Sequence, residues 1–306
     1  VLISQAASAE GRGVFSDEPR AAFIATEILT QGGSAVDAAV AAYMAMTVTL
    51  PSSVGFGGGG SCIVSNVTTG VTEIVDFPLR AATDAPDAAA IPAGLRGMLL
   101  LHARHGRLPI GSLMLPAERL ARNGFPVSTV LADDLAAGGT RLLDDPAARR
   151  LFTRADGAFL QAGNQVVMPA YADGLRMIRG NLSGAARPFQ VFKTLNEELT
   201  AAGLAVVVQR VATYSAAIRP ADGIEVPGAA FAENQLVFTG TDVRDTAVAA
   251  AAARFLVTDG LYDGTDDIDR PHLIADSLVA ADAYVLQNGP LLPTVEEAER
   301  TMAGHQ

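Results

Sequence analysis

The residues from 35 to about 47, which read "AVDAAVAAYMAMT", constrain the fold of this 306-residue chain more than any other segment. They are almost entirely alanine, valine, methionine and tyrosine, so a helix formed by them is apolar on nearly every side. Such a helix has to be covered by other elements, and a chain with 49% hydrophobic residues is long enough to build that cover. The segment therefore predicts a layered α/β or α+β fold with this helix in a buried layer.

Capping residues and glycines set the bounds of this helix and of the one before it. Asp17 as N-cap, with Pro19 in the first turn, predicts where the first helix begins. Gly32–Gly33 ends it, and Ser34 with Asp37 three residues later forms a capping-box variant for the second helix. The same rules predict helices at Gly94 to about Arg104, Leu113–Asn123, Val130–Gly138, Asp145–Phe152, Pro169–Arg179, Asp245–Leu256 and His272–Leu286. The tail Pro293–Gln306 is polar and short.

A glycine-rich loop follows the buried helix and leads into a predicted hairpin. The loop Pro51–Gly60 contains "GFGGGG", and Ser61–Val67 and Val71–Phe77 are predicted strands joined by a turn at Thr68–Gly70. Four consecutive glycines exceed what a turn requires, which favours the close approach of another backbone or of a ligand. Further strands are predicted at Val1–Ala7, Leu204–Val208 and Gln235–Thr239.

The same glycines fit a dinucleotide-binding spacing, but their surroundings do not. Gly55, Gly57 and Gly60 match G-x-G-x-x-G, and Asp76 stands close to where a ribose-binding carboxylate would be expected. That function needs the order strand, glycines, helix, because the pyrophosphate rests on the N-terminus of the helix. Here a helix precedes the glycines and a hairpin follows them, which argues against a dinucleotide site.

The composition disfavours several classes of function. The chain has 22 Lys and Arg against 33 Asp and Glu, and its formal net charge of -11 disfavours nucleic acid and anionic lipid as partners. No stretch reaches the roughly 18 uninterrupted apolar residues of a membrane span. The single cysteine, Cys62, cannot form an internal disulfide and is predicted to be a buried structural thiol.

No metal site and no cofactor are predicted. His102 and His105 could face one another on a helix, but no Glu follows the first His as in H-E-x-x-H, and no third ligand is evident. The acidic loop Asp263–Asp269 lacks the residue order of an EF-hand. Surface histidines at a helix end and a solvated loop are the simpler interpretations.

The stretch "EILTQGGSAVDAAVAAYMAMTVTLPSSVGFGGGG" resembles the N-terminal signature of the γ-glutamyltransferases, also called γ-glutamyl transpeptidases. That signature contains the run Gly-Gly-Asn-Ala-Val-Asp-Ala-Ala-Val-Ala, which residues 32–41 match except for Ser34 in place of Asn. Segments such as "GLRGMLLLHARHGRLP" and "LMLPAERLARNGFPVS" extend the resemblance, which is strong over residues 5–180 and weak over 235–290. Residues 181–235 match poorly and are expected to be a divergent, irregular region.

The resemblance implies a fold and a two-chain enzyme. Members of that family are N-terminal-nucleophile hydrolases with an αββα four-layer sandwich, expected here as a single domain over residues 1–306. Their precursor cuts itself in two, and the new N-terminal Thr of the small subunit attacks a γ-glutamyl or related acyl amide such as glutathione. This chain starts at Val1 and contains no Thr-Thr-His segment, so the resemblance implies a large subunit whose small-subunit partner, from the same precursor, carries the nucleophile. The alternatives are a natural truncation or a catalytically inactive homologue that binds a ligand or acts as a scaffold. Family members are often exported, which slightly favours a periplasmic or secreted location.

In that family the large subunit contributes an Arg that binds the substrate α-carboxylate, within the pattern Asp-Phe-Arg-Glu-x-Ala-Pro. The stretch here reads "VDFPLRAATDAP", in which Asp76 and Phe77 match but Pro78 stands at the Arg position. Arg80 lies two residues further on, and a shift of two keeps the same face of a strand, so Arg80 is the candidate substrate-binding residue. The alternative is that Arg80 is a solvated surface residue and the glutamate clamp is lost.

The resemblance also implies an active-site loop beside the cleft where the nucleophile of the partner would sit. Its residues are Ser52, Ser53, Gly57, Gly58, Gly59 and Gly60. No catalytic residue is predicted in this chain itself, because the nucleophile is expected on the partner.

Overall fold

The computed structural model of the chain contains both helices and strands, numbered here in chain order. The helices are α1 (Pro19–Thr30), α2 (Ala35–Thr49), α3 (Ala93–His105), α4 (Ile110–Asn123), α5 (Thr129–Gly138), α6 (Pro146–Phe152), α7 (Pro169–Leu182), α8 (Arg244–Val257), α9 (Arg270–Asn288) and α10 (Val295–Ala303). The strands are β1 (Gly60–Asn66), β2 (Val71–Phe77), β3 (Phe125–Pro126), β4 (Gln165–Val166), β5 (Ala217–Pro220), β6 (Gly223–Glu225) and β7 (Gln235–Val237).

The structure describes residues 13–66, 68–81, 91–182, 197, 210, 213–221, 223–225, 235–237, 244–257, 269–288 and 293–303. The predicted strands at Val1–Ala7 and Leu204–Val208, nearly all of the acidic loop Asp263–Asp269 and most of the region 181–235 lie outside them. The chain divides into two compact units, Val1–Gly60 with Phe77–Ala216 and Ser61–Asp76 with Ala217–Gln306. The single domain over residues 1–306 stays a prediction.

The N-cap of helix α1 lies one residue later than predicted. The prediction that Asp17 is the N-cap is wrong, because the carboxylate of Glu18 accepts the backbone N–H groups of Arg20 and Ala21 at 2.8 and 3.0 Å. A Glu side chain is long enough to fold back onto these donors, and Glu18 is fully buried while it does so. At the other end of the helix Gly32 has φ +88°, as predicted for a glycine that ends a helix in the left-handed region.

Helix α2 is the buried helix that the sequence predicts. Ten of its 15 residues are buried, and it packs against α1, α3 and α4 of the same unit. Its capping box is complete, because Ser34 Oγ accepts the N–H of Asp37 at 3.1 Å and Asp37 Oδ2 accepts the N–H of Ser34 at 2.8 Å. The prediction of a helix covered on nearly all sides is therefore confirmed.

Asp37 also joins α2 to the loop between α3 and α4. Its carboxylate accepts the backbone N–H of Arg107 at 3.0 Å and that of Leu108 at 3.2 Å, in addition to the N–H of Ser34. The side chain of Asp37 is fully buried. One buried carboxylate thus satisfies three backbone donors from two parts of the chain and links these two parts of the unit.

The second unit contains the predicted hairpin. Strands β1 and β2 are hydrogen-bonded neighbours, and β5 pairs antiparallel with β2, with Asp76 opposite Ala217. The turn has Gly70 at φ +69°, which confirms the predicted glycine position. Cys62 on β1 is half-buried, and burial raises the pKa of its thiol, as fits a structural cysteine.

The helices α8, α9 and α10 share a core of small side chains around one aromatic pair. Phe255 and Tyr284 meet edge to face with ring centroids 6.2 Å apart. The buried members of this core are Ala247, Ala251, Ala252, Phe255, Ala280, Ala281, Val285, Ala298 and Met302. Alanines at these positions let the helices approach closely. None of the helices in the described part of the chain combines the length and the apolar character needed to cross a bilayer.

Ser277 of α9 gives a stability prediction. Its hydroxyl is fully buried and has no hydrogen-bond partner among the described residues. A buried hydroxyl without a partner costs free energy, and alanine is also the better helix former. We expect Ser277→Ala to raise the free energy of unfolding by about 1 kcal/mol in a urea titration followed by circular dichroism.

The matched control for this variant is Ser128→Ala. Ser128 caps α5, and its Oγ accepts the N–H of Leu131 at 3.2 Å. Losing that cap is expected to lower the free energy of unfolding by about 1 kcal/mol. A loss of stability in Ser277→Ala as well would contradict the prediction, because it would mean that the Ser277 hydroxyl has a partner.

Candidate active-site cavity and glycine loop

After the hairpin ends at Phe77, the chain continues along the wall of a cavity. Strand β2 ends at Phe77, and Pro78, Leu79 and Arg80 continue without strand pairing. The alternation of side chains along a strand therefore does not extend to Arg80, and the prediction that Arg80 lies on the same strand face is wrong. Its role as the substrate-binding residue stays a prediction, and it now depends on the cavity.

Hydrogen bonds fix the short segment that carries Arg80. The Tyr214 hydroxyl donates to the carbonyl oxygen of Pro78 at 3.1 Å, and Nη1 of Arg210 lies 3.4 Å from the carbonyl oxygen of Ala81. The carbonyl oxygen of Arg80 itself accepts the N–H of Ile91 at 2.8 Å. The backbone at residues 78–81 is thus held at three carbonyl oxygens, while the Arg80 side chain is exposed.

This segment lines a cavity of about 670 Å³. The size lies within the range typical of small-molecule sites. The described lining residues are Arg80, Ala81, Ile91, Arg210, Thr213, Tyr214 and Ser215. They include two arginines and three hydroxyl side chains but no carboxylate, so the described wall favours an anionic ligand.

A third arginine lies close to this wall. Arg96 on α3 is half-buried, and burial lowers the pKa of its guanidinium, an effect that the neighbouring Tyr214 phenol partly offsets. Tyr214 is itself almost fully buried. Three arginines, Arg80, Arg96 and Arg210, thus lie near Tyr214 in the described part of the chain.

Aromatic contacts hold the glycine loop against the first unit. The Tyr43 hydroxyl donates to the carbonyl oxygen of Gly55 at 2.9 Å, and Phe56 stacks on Tyr171 with ring centroids 6.2 Å apart. Burial raises the pKa values of both Tyr43 and Tyr171, so both phenols stay protonated. The N–H of Gly58 donates to the same carbonyl of Gly55 at 2.9 Å, which closes a turn inside the loop.

The predicted loop serines are exposed, and one of them is tied to α5. Ser52 Oγ donates to Oδ2 of Asp134 at 2.6 Å, while the N–H of Ser53 donates to the carbonyl oxygen of Leu50 at 3.1 Å. Neither serine is among the described residues that line the cavity. Their assignment to an active-site loop stays a prediction, and the structure adds Asp134 as the partner of Ser52.

Two of the loop glycines make the close approach that the sequence suggests. A Cβ atom on Gly59 would lie 2.1 Å from the backbone nitrogen of Leu79, and one on Gly60 would lie 3.1 Å from the ring of Phe77. Only glycine allows this contact at residue 59. Gly57 has open space instead. The glycine loop therefore meets the segment of Arg80 through Gly59, directly beside Leu79.

His102 contacts the loop after α3 and the buried carboxylate of Asp37. Nε2 of His102 is hydrogen-bonded to the carbonyl oxygen of Leu108 at 2.8 Å and lies 3.7 Å from Oδ1 of Asp37. The ring thus supports the loop after α3. Within the described ranges, no three His, Cys, Asp or Glu side chains are grouped to hold a metal ion.

Comparison with known proteins identifies the chain. The family model described as gamma-glutamyltranspeptidase matches residues 21–234. Glutathione hydrolase 3 of Arabidopsis thaliana is 32% identical over 241 residues, which cover 74% of this chain and 38% of that protein. The glutathione hydrolase proenzyme of Escherichia coli is 30% identical over 226 residues, which cover 67% of this chain and 39% of the relative. The chain thus spans about two fifths of the length of these relatives.

A solved structure shows the fold. The crystal structure of Helicobacter pylori gamma-glutamyltranspeptidase superimposes with a TM-score of 0.78 at 20% identity, over 98% of this chain and 93% of that chain. The predicted α/β (α+β) fold class, with the fold of this solved structure, is thereby confirmed. The family model matches more than two thirds of the length of this chain. The chain therefore belongs to the gamma-glutamyltranspeptidase family.

Proposed function

We propose that this chain is the large subunit of an N-terminal-nucleophile amidohydrolase or acyltransferase that acts on γ-glutamyl amides such as glutathione. Membership of the gamma-glutamyltranspeptidase family supports the reaction class. The observation that carries the assignment to a subsite is the exposed Arg80 guanidinium at a cavity of small-molecule size. A planar guanidinium binds a carboxylate through two parallel hydrogen bonds, which suits the α-carboxylate of a γ-glutamyl group.

The contribution of this chain is to bind and orient the acyl donor. Residues 78–81 are fixed by Tyr214, Arg210 and Ile91, so Arg80 starts from a backbone that does not have to be ordered when substrate arrives. Holding the α-carboxylate in one place fixes the γ-carbonyl carbon at the other end of the glutamyl group relative to the nucleophile. Arg80 is thus a substrate-binding residue and takes no part in bond breaking.

The bond-breaking step is proposed for a partner chain. The hydroxyl oxygen of an N-terminal Thr attacks the γ-carbonyl carbon, its proton passes to the departing amine, and the C–N bond breaks to leave an acyl ester. Water or an amine acceptor then cleaves that ester. One relative of this chain is named a proenzyme, which supports a small subunit released from the same precursor.

Two measurements on the purified protein test this assignment. Intact mass and N-terminal sequencing should reveal a second chain that begins with Thr or Ser, and γ-glutamyl-p-nitroanilide should be cleaved. If this chain is alone and releases no p-nitroaniline, the enzyme assignment fails and the inactive homologue is the correct interpretation.

Replacing Arg80 with alanine should raise the KM for γ-glutamyl-p-nitroanilide about tenfold, because the α-carboxylate loses its charged partner at an exposed site. The value of kcat should change much less, since the reacting atoms belong to the partner. Arg150→Ala is the matched control, because Arg150 is an exposed arginine on α6 that does not line the cavity. An unchanged KM in Arg80→Ala would place the carboxylate clamp elsewhere.

A further inference from the structure

We infer that a second cavity, lined by α1 and α4, binds short apolar peptides whose ammonium and carboxylate ends are both free. The inference does not depend on the proposed function, which gives this cavity no role. It shares no described lining residue with the cavity of Arg80. The observation that carries it is a pair of oppositely charged side chains, Glu27 and Arg119, which line the same cavity without pairing with each other.

Two helices of the first unit supply most of the cavity wall. Residues three and four positions apart lie on one face of a helix, and both helices present such a face to the cavity. The residues that form these two faces include Phe23, Ile24, Glu27, Pro116, Arg119 and Leu120. Both α1 and α4 also pack against the buried helix α2, which fixes the two faces relative to one another.

The remaining wall is backbone that hydrogen bonds already hold in place. The N–H of Gly163 donates to the carbonyl oxygen of Val127 at 2.9 Å, and the N–H of Val127 donates to the carbonyl oxygen of Asn164 at 2.8 Å. Both Val127 and Gly163 line the cavity. Its volume of about 930 Å³ lies within the range typical of small-molecule sites, and a ligand does not have to order its walls.

The aromatic ring of Phe23 gives the cavity an apolar surface that the described protein leaves open. Phe23 is 64% exposed, although its neighbour Ile24 is buried. Pro116 and Leu120 on the facing helix are half-buried. Covering such side chains with apolar groups of a ligand releases water and is favourable, so the wall selects a ligand with apolar side chains.

The charges of the lining select the ends of the ligand. Arg20 also lines the cavity, but its Nη1 atom lies 3.1 Å from Oε1 of Glu18, which compensates its charge. Glu27 and Arg119 are exposed, and neither charged group has a hydrogen bond or an ion pair within the described part of the chain. A carboxylate and a guanidinium in this state complement an ammonium and a carboxylate. A molecule that carries these two groups together with apolar side chains is a short apolar peptide with free ends.

Three related ligands test the inference: leucyl-leucine, leucyl-leucinamide, which lacks the carboxylate, and the des-amino analogue of leucyl-leucine, which lacks the ammonium group. Titration calorimetry on the purified protein, without any γ-glutamyl donor, gives a Kd for each. We expect leucyl-leucine to bind about fivefold more tightly than either of the other two, as fits one ion pair at an exposed site for each end.

Crossed variants assign each end of the peptide to its partner. Arg119→Gln should remove the preference for the free carboxylate and keep the preference for the ammonium group, and Glu27→Gln should do the reverse. Arg150→Gln and Asp133→Asn are the matched controls, because both residues are exposed and neither lines the cavity. Both controls should keep both preferences.

A further pair of variants tests the apolar contact. Phe23→Ala should weaken the binding of all three ligands about tenfold, because the apolar area that the ring offers is lost. Phe15→Ala is its control, since Phe15 is 85% exposed and does not line the cavity. An unchanged Kd in Phe23→Ala would overturn the inference.

The remaining outcomes decide whether the binding occurs at this cavity. Arg80→Gln should leave the Kd of leucyl-leucine unchanged, and a loss of binding in that variant would place the peptide at the other cavity and overturn the inference. No binding at millimolar concentration, or equal affinity for the three ligands, would overturn it too. Because binding is measured without turnover, a protein that does not cleave γ-glutamyl-p-nitroanilide can still support the inference, and an active one can refute it.

Discussion

Replacing Asp37 with alanine should lower the free energy of unfolding by about 4 kcal/mol, the largest loss expected of any single substitution considered. The carboxylate accepts three backbone N–H groups, from Ser34, Arg107 and Leu108, and it is completely buried. Removing it leaves these donors without a partner inside the protein and removes half of the capping box of α2. Urea denaturation followed by circular dichroism measures the effect, because the chain contains no Trp for fluorescence.

Two further variants calibrate this result. Asp37→Asn keeps one acceptor oxygen and should lose only part of the stability. Asp133→Ala removes an exposed carboxylate from α5 and should stay within about 0.5 kcal/mol of the wild-type protein. A loss below about 1 kcal/mol in Asp37→Ala would mean that water or a shift of the loop replaces the carboxylate.

Gly97→Ala should cost about 3 kcal/mol of folding stability, because the added methyl group has no space. A Cβ atom at this position of α3 would lie 2.1 Å from the ring of Phe77, and Phe77 is itself buried. The ring has little freedom to retreat, since Gly60 already approaches its far edge. The shift of Phe77 would also move Pro78 and Arg80, so the KM for γ-glutamyl substrates should rise together with the loss of stability.

Gly174→Ala is the matched control for this substitution. Gly174 lies inside α7, and a Cβ atom there would meet nothing within 4 Å. The same chemical change should therefore stabilise the protein by about 0.5–1 kcal/mol through helix propensity alone. Equal effects of the two substitutions would contradict the contact between Gly97 and Phe77.

The sequence predicts those parts of the fold that local chemistry determines. The helix after Ser34, its capping box and the turn glycine Gly70 depend on neighbours in sequence, and the structure confirms all three. The ends of helices are predicted less exactly: the N-cap of α1 is Glu18 and not the predicted Asp17. Both residues carry carboxylates at adjacent positions, and only the backbone conformation decides which one reaches the free N–H groups.

Helix α10 and the pairing of β3 with β4 are not predicted from the sequence, for two different physical reasons. Helix α10 follows Thr294, whose backbone N–H donates to Glu297 at 2.8 Å while its Oγ1 accepts the N–H of Glu297 at 3.2 Å. This capping box is visible as "TVEE", so the helix could have been predicted. The pairing of Phe125 with Val166 could not, because two-residue strands have no periodicity and depend on a contact between distant parts of the chain.

The candidate site also contains residues that the sequence predicts and residues that it does not. Arg80 is found from its distance to a family motif, although the strand argument for its orientation fails at Phe77. Tyr214 and Arg210 are missed because nothing in their local sequence indicates that they contact residues 78–81, more than 120 positions earlier. Long-range hydrogen bonds of this kind have no sequence pattern in a single chain.

The glycine loop has a consequence for the thermodynamics of assembly. A segment with four consecutive glycines would ordinarily lose much backbone entropy when a ligand or another chain first ordered it. Here Tyr43, Tyr171 and Asp134 hold Gly55, Phe56 and Ser52. Gly58 bonds to Gly55, and Gly59 packs against Leu79, so that entropy is already lost when the chain folds. Association at this surface should therefore resemble the docking of two preformed bodies, with a small heat-capacity change and an association rate limited by encounter instead of by loop ordering.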